Sequence, residues 1–273
     1  MTVLTPLKPT RPQVARIFRL VDRAAALLEV RHEVEANHDD NRWWPASITD
    51  TRIRMLAAGW STRVSYRMID TYARVIAAAD ATGFDVLAGG TDAELADLVA
   101  PLGLTRTRID YFRSLIDLLD RWAKDDTDPL APDGDHSVLI QRFAEEVHGA
   151  SYKVAQCALL YARGYHCGII PVDSGMVTKL GPALGIKLPS GSVAHEHLRH
   201  LLEGAVQAQA EDFRRLIGRH EYAVTVPSDA LPTWWAHLVL IYFKRLFLNR
   251  PSDRLCQRRP VCATAIDCDH ASP

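Results

Sequence analysis

Val147-His-Gly-Ala-Ser-Tyr-Lys-Val-Ala155, with an apolar run behind it to Arg163, a turn at Gly164 and Ile170-Pro-Val-Asp-Ser174 beyond, is the stretch on which the reading of the fold turns. From His136 to about Val147, and again from Tyr152 to Arg163, apolar residues recur at helical spacing, and His148-Gly-Ala-Ser151 separates the two runs. The pattern predicts a short helical hairpin. A turn that opens a helix leaves that helix's first backbone amides without intrahelical partners, and the helix dipole favours an anion there, such as a phosphate. The small residues Gly149, Ala150 and Ser151 let such a group come close to the backbone.

Outward from the hairpin the same periodicity recurs and strand signals are nearly absent, so the chain reads as all-α. A first helix is expected after Thr10-Arg-Pro, running through Ile17, Leu20, Val21, Ala24 and Leu28, with Pro12 in its first turn. Arg52 to Ala58 and Val64 to Ala79 read as helices separated by a turn at Gly59-Trp-Ser-Thr62. Thr91-Asp-Ala-Glu94 is a capping-box signature, and Arg106 to Lys124 carries an apolar face of Ile109, Phe112, Leu115, Ile116 and Leu119. Further helices are expected at Gly175 to Leu184, Val193 to His220 and Pro232 to Leu248. The polar loop Asp125 to Asp135 is the clearest break between lobes.

Composition is that of an ordinary globular chain: of 273 residues 48% are hydrophobic and 24% charged, enough to bury a sizeable core. No apolar run approaches the roughly 20 residues of a membrane span, and the N-terminus lacks a secretory core segment. The expectation is a cytoplasmic monomer with no membrane partner, nucleoid-associated if the source is bacterial. A net charge of −1 and a pI near 6.8 mean that any surface for a polyanion must be a local patch. Of five cysteines, Cys256, Cys262 and Cys268 crowd the last 18 residues, a grouping closer to a metal or cluster remnant than to a disulfide framework.

The hairpin segment resembles the endonuclease III branch of the helix-hairpin-helix DNA glycosylases, whose motif reads Leu-Pro-Gly-Val-Gly-x-Lys-Thr-Ala and is followed by Val-Asp-Thr. Gly149 matches the motif's first glycine, Ser151 stands at the second, and His148 replaces the proline. Leu56-Ala-Ala-Gly-Trp-Ser-Thr-Arg-Val-Ser-Tyr66 and Leu102-Gly-Leu-Thr-Arg-Thr-Arg-Ile109 are similar to two further loops of the family, which enter the duplex where the target base has left it. The resemblance implies a two-lobe fold: a helical barrel at about 49–163 that contains the helix-hairpin-helix at about 138–163, and a second lobe combining residues 1–48 with 164–250. Residues 251–273 would then be a degenerate iron-sulfur loop.

By the same resemblance Lys153 is the amine nucleophile and Asp173 the essential carboxylate of a base-excision DNA glycosylase with lyase activity at the abasic site. The enzyme would flip a damaged or mismatched base out of double-stranded DNA. Asp173 would stabilise positive charge on the sugar, and Lys153 would attack the anomeric carbon to form a Schiff base. Trp60 takes the place of the family's plug glutamine, Leu104 is the wedge, and Arg106 and Arg108 beside it are phosphate contacts, together with the hairpin residues Gly149, Ala150 and Ser151.

Taken residue by residue, simpler readings stand beside these. A lysine in a helix's first turns is usually solvated, an aspartate after an apolar run is usually a helix N-cap, Trp60 fits a core position, and Leu104 fits a packed loop. Two rival functions follow: a non-catalytic DNA-binding protein, motivated by Ser151, Trp60 and Gly175, and a monofunctional glycosylase in which Asp173 activates water while Lys153 only binds phosphate.

The tail keeps the family's basic-Pro-x-Cys core as Arg258-Arg-Pro-Val-Cys262, but Ala265 occupies the place of one cluster ligand. A [4Fe–4S] cluster takes four thiolates, so loss of the cofactor is expected. A cluster completed by Asp269 or His270, or zinc on the three cysteines and His270, are the alternatives. His195-Glu-His-Leu-Arg-His200 reads as a solvated helix face, since side chains two apart on a helix diverge, and Trp234-Trp235 reads as packing at a helix end.

Overall fold

The computed structural model describes residues 7–43, 47–131 and 136–249. Among these residues every regular element is helical. In order they are α1 (Arg11–Ala25), α2 (Leu28–His38), α3 (Thr51–Trp60), α4 (Ile69–Thr82), α5 (Phe84–Gly89), α6 (Asp92–Val99), α7 (Thr105–Lys124), α8 (His136–Glu146), α9 (Tyr152–Arg163), α10 (Gly181–Ala183), α11 (Val193–Ala208), α12 (Ala210–Arg219) and α13 (Thr233–Phe243). Single 3₁₀ turns occur at Tyr66–Met68 and Ala100–Leu102, and π-helical turns at Met176–Leu180 and Lys244–Leu248. No helix among the described residues is long and apolar enough to cross a membrane.

The chain divides into two compact units. One is Asp40–Tyr165; the other joins Thr5–Asp39 to the chain after His166. In the first, α9 is the central element: every residue from Val154 to Ala162 is buried, and α3 and α8 pack along it. In the second, α13 has the same role, its residues Thr233 to Phe243 all buried and packed against α2 and α1. Trp234 donates its indole N–H to the His38 carbonyl at 2.8 Å, and Trp235 meets Tyr222 edge-on, so both tryptophans are core residues of α13.

Local chemistry explains the helix starts. Thr10 and Gln13 form a reciprocal capping box at α1, and Thr91 and Glu94 do the same at α6, satisfying amides that have no intrahelical partner. On α1 the face Ile17, Leu20, Val21 and Ala24 is buried, each of the larger side chains contributing roughly 1.5–3 kcal/mol by leaving water.

Three expectations are corrected. α3 continues through Gly59 and Trp60 instead of turning there, because Gly59 serves close packing: a Cβ at this position would lie 2.2 Å from the Tyr111 ring on α7. The single helix expected from Val193 to His220 is broken at Gln209, whose φ of −133° and ψ of 36° leave the helical region between α11 and α12. Finally, Glu196, Arg199 and His200 are buried rather than on a solvated face. Arg199 bonds Glu196 at 2.6 Å and Glu203 at 2.7 Å, and this pairing meets the cost of taking the charges out of water.

Candidate functional site

The hairpin is α8, the turn 147–151 and α9. Gly149 has φ of +75°, a left-handed conformation that glycine adopts without penalty, and an added Cβ would meet only Thr107 at 3.8 Å. The glycine is therefore needed for its backbone angle, not for space. Ala150 closes the turn by donating to the Val147 carbonyl at 3.1 Å. The turn is fixed to α7 through Ser114, whose hydroxyl accepts from the His148 amide at 2.9 Å and donates to the Glu146 carbonyl at 3.2 Å. Ser151 is the extended N-cap of α9, and its side chain makes no capping bond. Lys153 follows on that first turn, half-buried, with no hydrogen bond or ion pair tying its amine to another described residue.

Asp173 lies in the other unit, where its oxygens have separate partners. Oδ1 accepts from the Met176 amide at 2.8 Å, which is the capping role open to an aspartate at this position. Oδ2 accepts from Lys244 Nζ. Burial pushes the Asp173 carboxyl up, and the Lys244 ammonium, the Met176 amide and the more distant Arg245 more than offset it, so the group sits below its ordinary value.

Lys244 was not singled out from the sequence. It is buried at the end of the apolar α13 and begins the π-helical turn Lys244–Leu248, while Asp173 immediately precedes the π-helical turn Met176–Leu180. Lys179 Nζ donates to the Leu248 carbonyl at 3.1 Å and joins the two turns. Gly175 explains how the lysine reaches the aspartate: a Cβ there would lie 3.1 Å from both Lys244 Cδ and Nζ and 3.4 Å from Asp173 Oδ1. The absence of a side chain at Gly175 is thus the space that the lysine stem uses. Upstream, the Ile170 amide donates to Glu203 Oε1 at 2.9 Å, so the buried Arg199 network fixes the segment that leads into Asp173.

The two loop regions read as DNA contacts are placed differently from expectation at two positions. Trp60 is fully buried, its indole N–H donating to the Arg108 carbonyl at 3.1 Å. Arg108 is buried as well, and its guanidinium donates to four main-chain carbonyls: Gly103 at 2.8 Å, Thr62 at 3.1 Å, Leu102 at 3.2 Å and Trp60. A planar five-donor group fits such a cage, and both side chains are spent on holding loops together rather than reaching solvent. Leu104 does reach solvent, 44% exposed, with φ of +51°. Arg106 is exposed but bonded to Asp110 at 2.9 Å.

Cys256, Cys262 and Cys268, with the tail arginines, lie outside the described residues. Among the described residues no group of three or more His, Cys, Asp or Glu side chains is arranged to hold a metal ion. Cys157 is buried and Cys167 half-buried.

Comparison with protein-family models, with characterised proteins and with solved structures returned no match to this chain.

Proposed function

We propose that this chain is a helix-hairpin-helix DNA glycosylase that removes a damaged or mismatched base from duplex DNA and acts as a lyase on the abasic site. The observation that carries the reading is the α8–α9 hairpin: a left-handed Gly149, an α9 start with no side-chain cap, and Lys153 on the turn that follows. The dipole and amides of a helix start favour a phosphate, and the sequence around this one resembles the glycosylase motif.

In this reading the hairpin grips the backbone next to an extruded nucleotide. Asp173, ionised by its pairing with Lys244, offsets positive charge on the sugar as the bond to the base breaks. The Lys153 amine bonds to the anomeric carbon, the base leaves with the bonding pair, and ring opening gives the Schiff base from which the 3′ phosphate is eliminated. Borohydride trapping on an abasic duplex tests this. A covalent adduct with wild type that is absent with Lys153→Ala supports it, whereas no adduct and no base release from protein that binds the duplex defeats it.

A second reading rests on Asp173. Both of its oxygens already have protein partners, the Met176 amide and Lys244, which is a sufficient structural use of the residue without catalysis. A non-catalytic module of this kind would bind duplex DNA with steep salt dependence and leave every substrate intact.

A further inference from the structure

The two π-helical turns among the described residues both lie at the Asp173–Lys244 pair. Lys244 opens the turn Lys244–Leu248, and Asp173 stands three residues before the turn Met176–Leu180. A π-helix is rare and occurs mostly as single turns, often at functional sites. The ion pair is costly as well. The Lys244 side chain is only 3% exposed at the end of an apolar helix, where an apolar residue of similar size is commonly neutral or stabilising in place of a buried charge. A rare backbone form and a costly charge coincide on turns that pack together and are joined by Lys179 and the Leu248 carbonyl. Local rules of folding are broken in this way where a place is kept for its chemistry.

The pair also has a direction. Lys244 is its inner member and Asp173, 27% exposed, its outer one, so a ligand from solvent meets the carboxylate before the ammonium. The surrounding groups hold that carboxylate charged. Lys244 bonds Oδ2, the Met176 amide bonds Oδ1 at 2.8 Å, and Arg245 acts from farther along the lysine's turn. Lys179, on the aspartate's own turn, is bonded to the Leu248 carbonyl. On α11, which packs against that turn, Glu196 and Glu203 are bound to Arg199, with His200 beside Glu196. A carboxylate held in this way is a strong source of negative potential and a weak base, because proton transfer works best for a group that titrates near the working pH.

We infer that Lys244 is a positioning residue that keeps Asp173 a standing anion aimed outward, so that the carboxylate meets positive charge building on a bound sugar and does not serve as the base that activates water. This rests on the glycosylase reading above and deepens it, since it favours attack by an amine over attack by water.

The test uses the full chain and two duplexes, one carrying a pyrrolidine abasic-site analogue that is cationic between about pH 5 and pH 8, the other carrying the neutral tetrahydrofuran analogue. The ratio of their affinities, from fluorescence anisotropy at fixed salt, reports negative charge at the sugar position and cancels the contacts common to both. Wild type is expected to bind the cationic duplex at least about tenfold more tightly, the scale of a hydrogen bond to a charged group, with the same ratio at both ends of the pH range. In Lys244→Met the ratio should hold near pH 8 and fall about threefold or more near pH 5, because burial without the ammonium lets Asp173 take up a proton. Gly175→Ala keeps the lysine and sets a methyl 3.1 Å from its Nζ, so it should shift the ratio in the same direction and decides the matter if Lys244→Met does not fold. Asp173→Asn should abolish the preference throughout. No preference in wild type, a wild-type ratio that falls with acid, variants at positions 244 and 175 as constant as wild type, or a preference that survives Asp173→Asn each overturn the inference and leave the DNA reading intact. A wild-type protein that binds neither duplex overturns both.

Discussion

Replacing Lys244 by methionine isolates the Asp173 pair, because methionine keeps the apolar stem and removes the charge. Unit charges about 4 Å apart at an effective dielectric of about 20 attract by roughly 4 kcal/mol, and desolvation of a buried ammonium takes back much of that. Removing the lysine alone leaves the carboxylate in a site built for a pair. Breaking a fully buried pair costs about 3–5 kcal/mol, and here water can still reach Asp173, whose side chain is 27% exposed. The expected loss at pH 7 is therefore about 2–3 kcal/mol.

The pH dependence gives a sharper criterion. In the wild type the Asp173 carboxyl is held below its ordinary 3.8, so the pair's stabilisation is complete above that value and is lost as pH falls through the lower, folded-state value. In Lys244→Met the upward push of burial remains and its main counterweight is gone, so the carboxyl takes up a proton at higher pH and the variant sheds its penalty there. The gap between wild type and variant is thus widest near neutrality and narrows on acidification toward about pH 4. Urea unfolding at the two pH values measures it, and a cycle with Asp173→Asn isolates the coupling. A gap below about 0.5 kcal/mol at pH 7, or one that is unchanged by acid, would refute the reasoning, since surface substitutions alone reach that size.

Two further outcomes test other parts of the structure. Gly59→Ala places a methyl 2.2 Å from the Tyr111 ring and should cost at least about 1–3 kcal/mol, seen as a Tm lower by several degrees; an unchanged Tm would mean that α3 and α7 can separate freely. Leu104→Gly removes a left-handed leucine whose side chain is 44% exposed, so it should raise stability by up to about 1 kcal/mol while weakening binding to an abasic duplex. A loss of stability would identify Leu104 as a packing residue instead.

Legibility in the sequence followed the range of the forces involved. The capping box at Thr91, the start of α1 after Thr10 and the span of α9 could be read directly, because a helix start depends on residues within four positions of each other. Gly149 could be read as a turn glycine for the same reason. Gly59 and Gly175 could not: one is required by the Tyr111 ring and the other by the Lys244 stem, and nothing local distinguishes a close-packing glycine from a turn glycine. The break at Gln209 is also absent from the sequence pattern, for Val206-Gln-Ala-Gln-Ala210 holds good helix formers and no cap.

By itself, then, the sequence determined an all-helical chain, the hairpin around Gly149 and the placement of Lys153 and Asp173 as the residues to examine. Only the tertiary structure decided which polar side chains are spent internally. Arg108 and Trp60 are used on each other and on loop carbonyls, Arg199 on two glutamates, and Lys244 on Asp173, whereas Arg63 is left facing solvent. The physical reason is that burying a charge costs several kcal/mol unless a partner meets it, and such partners lie tens of residues away along the chain, where periodicity and motif spacing carry no information about them.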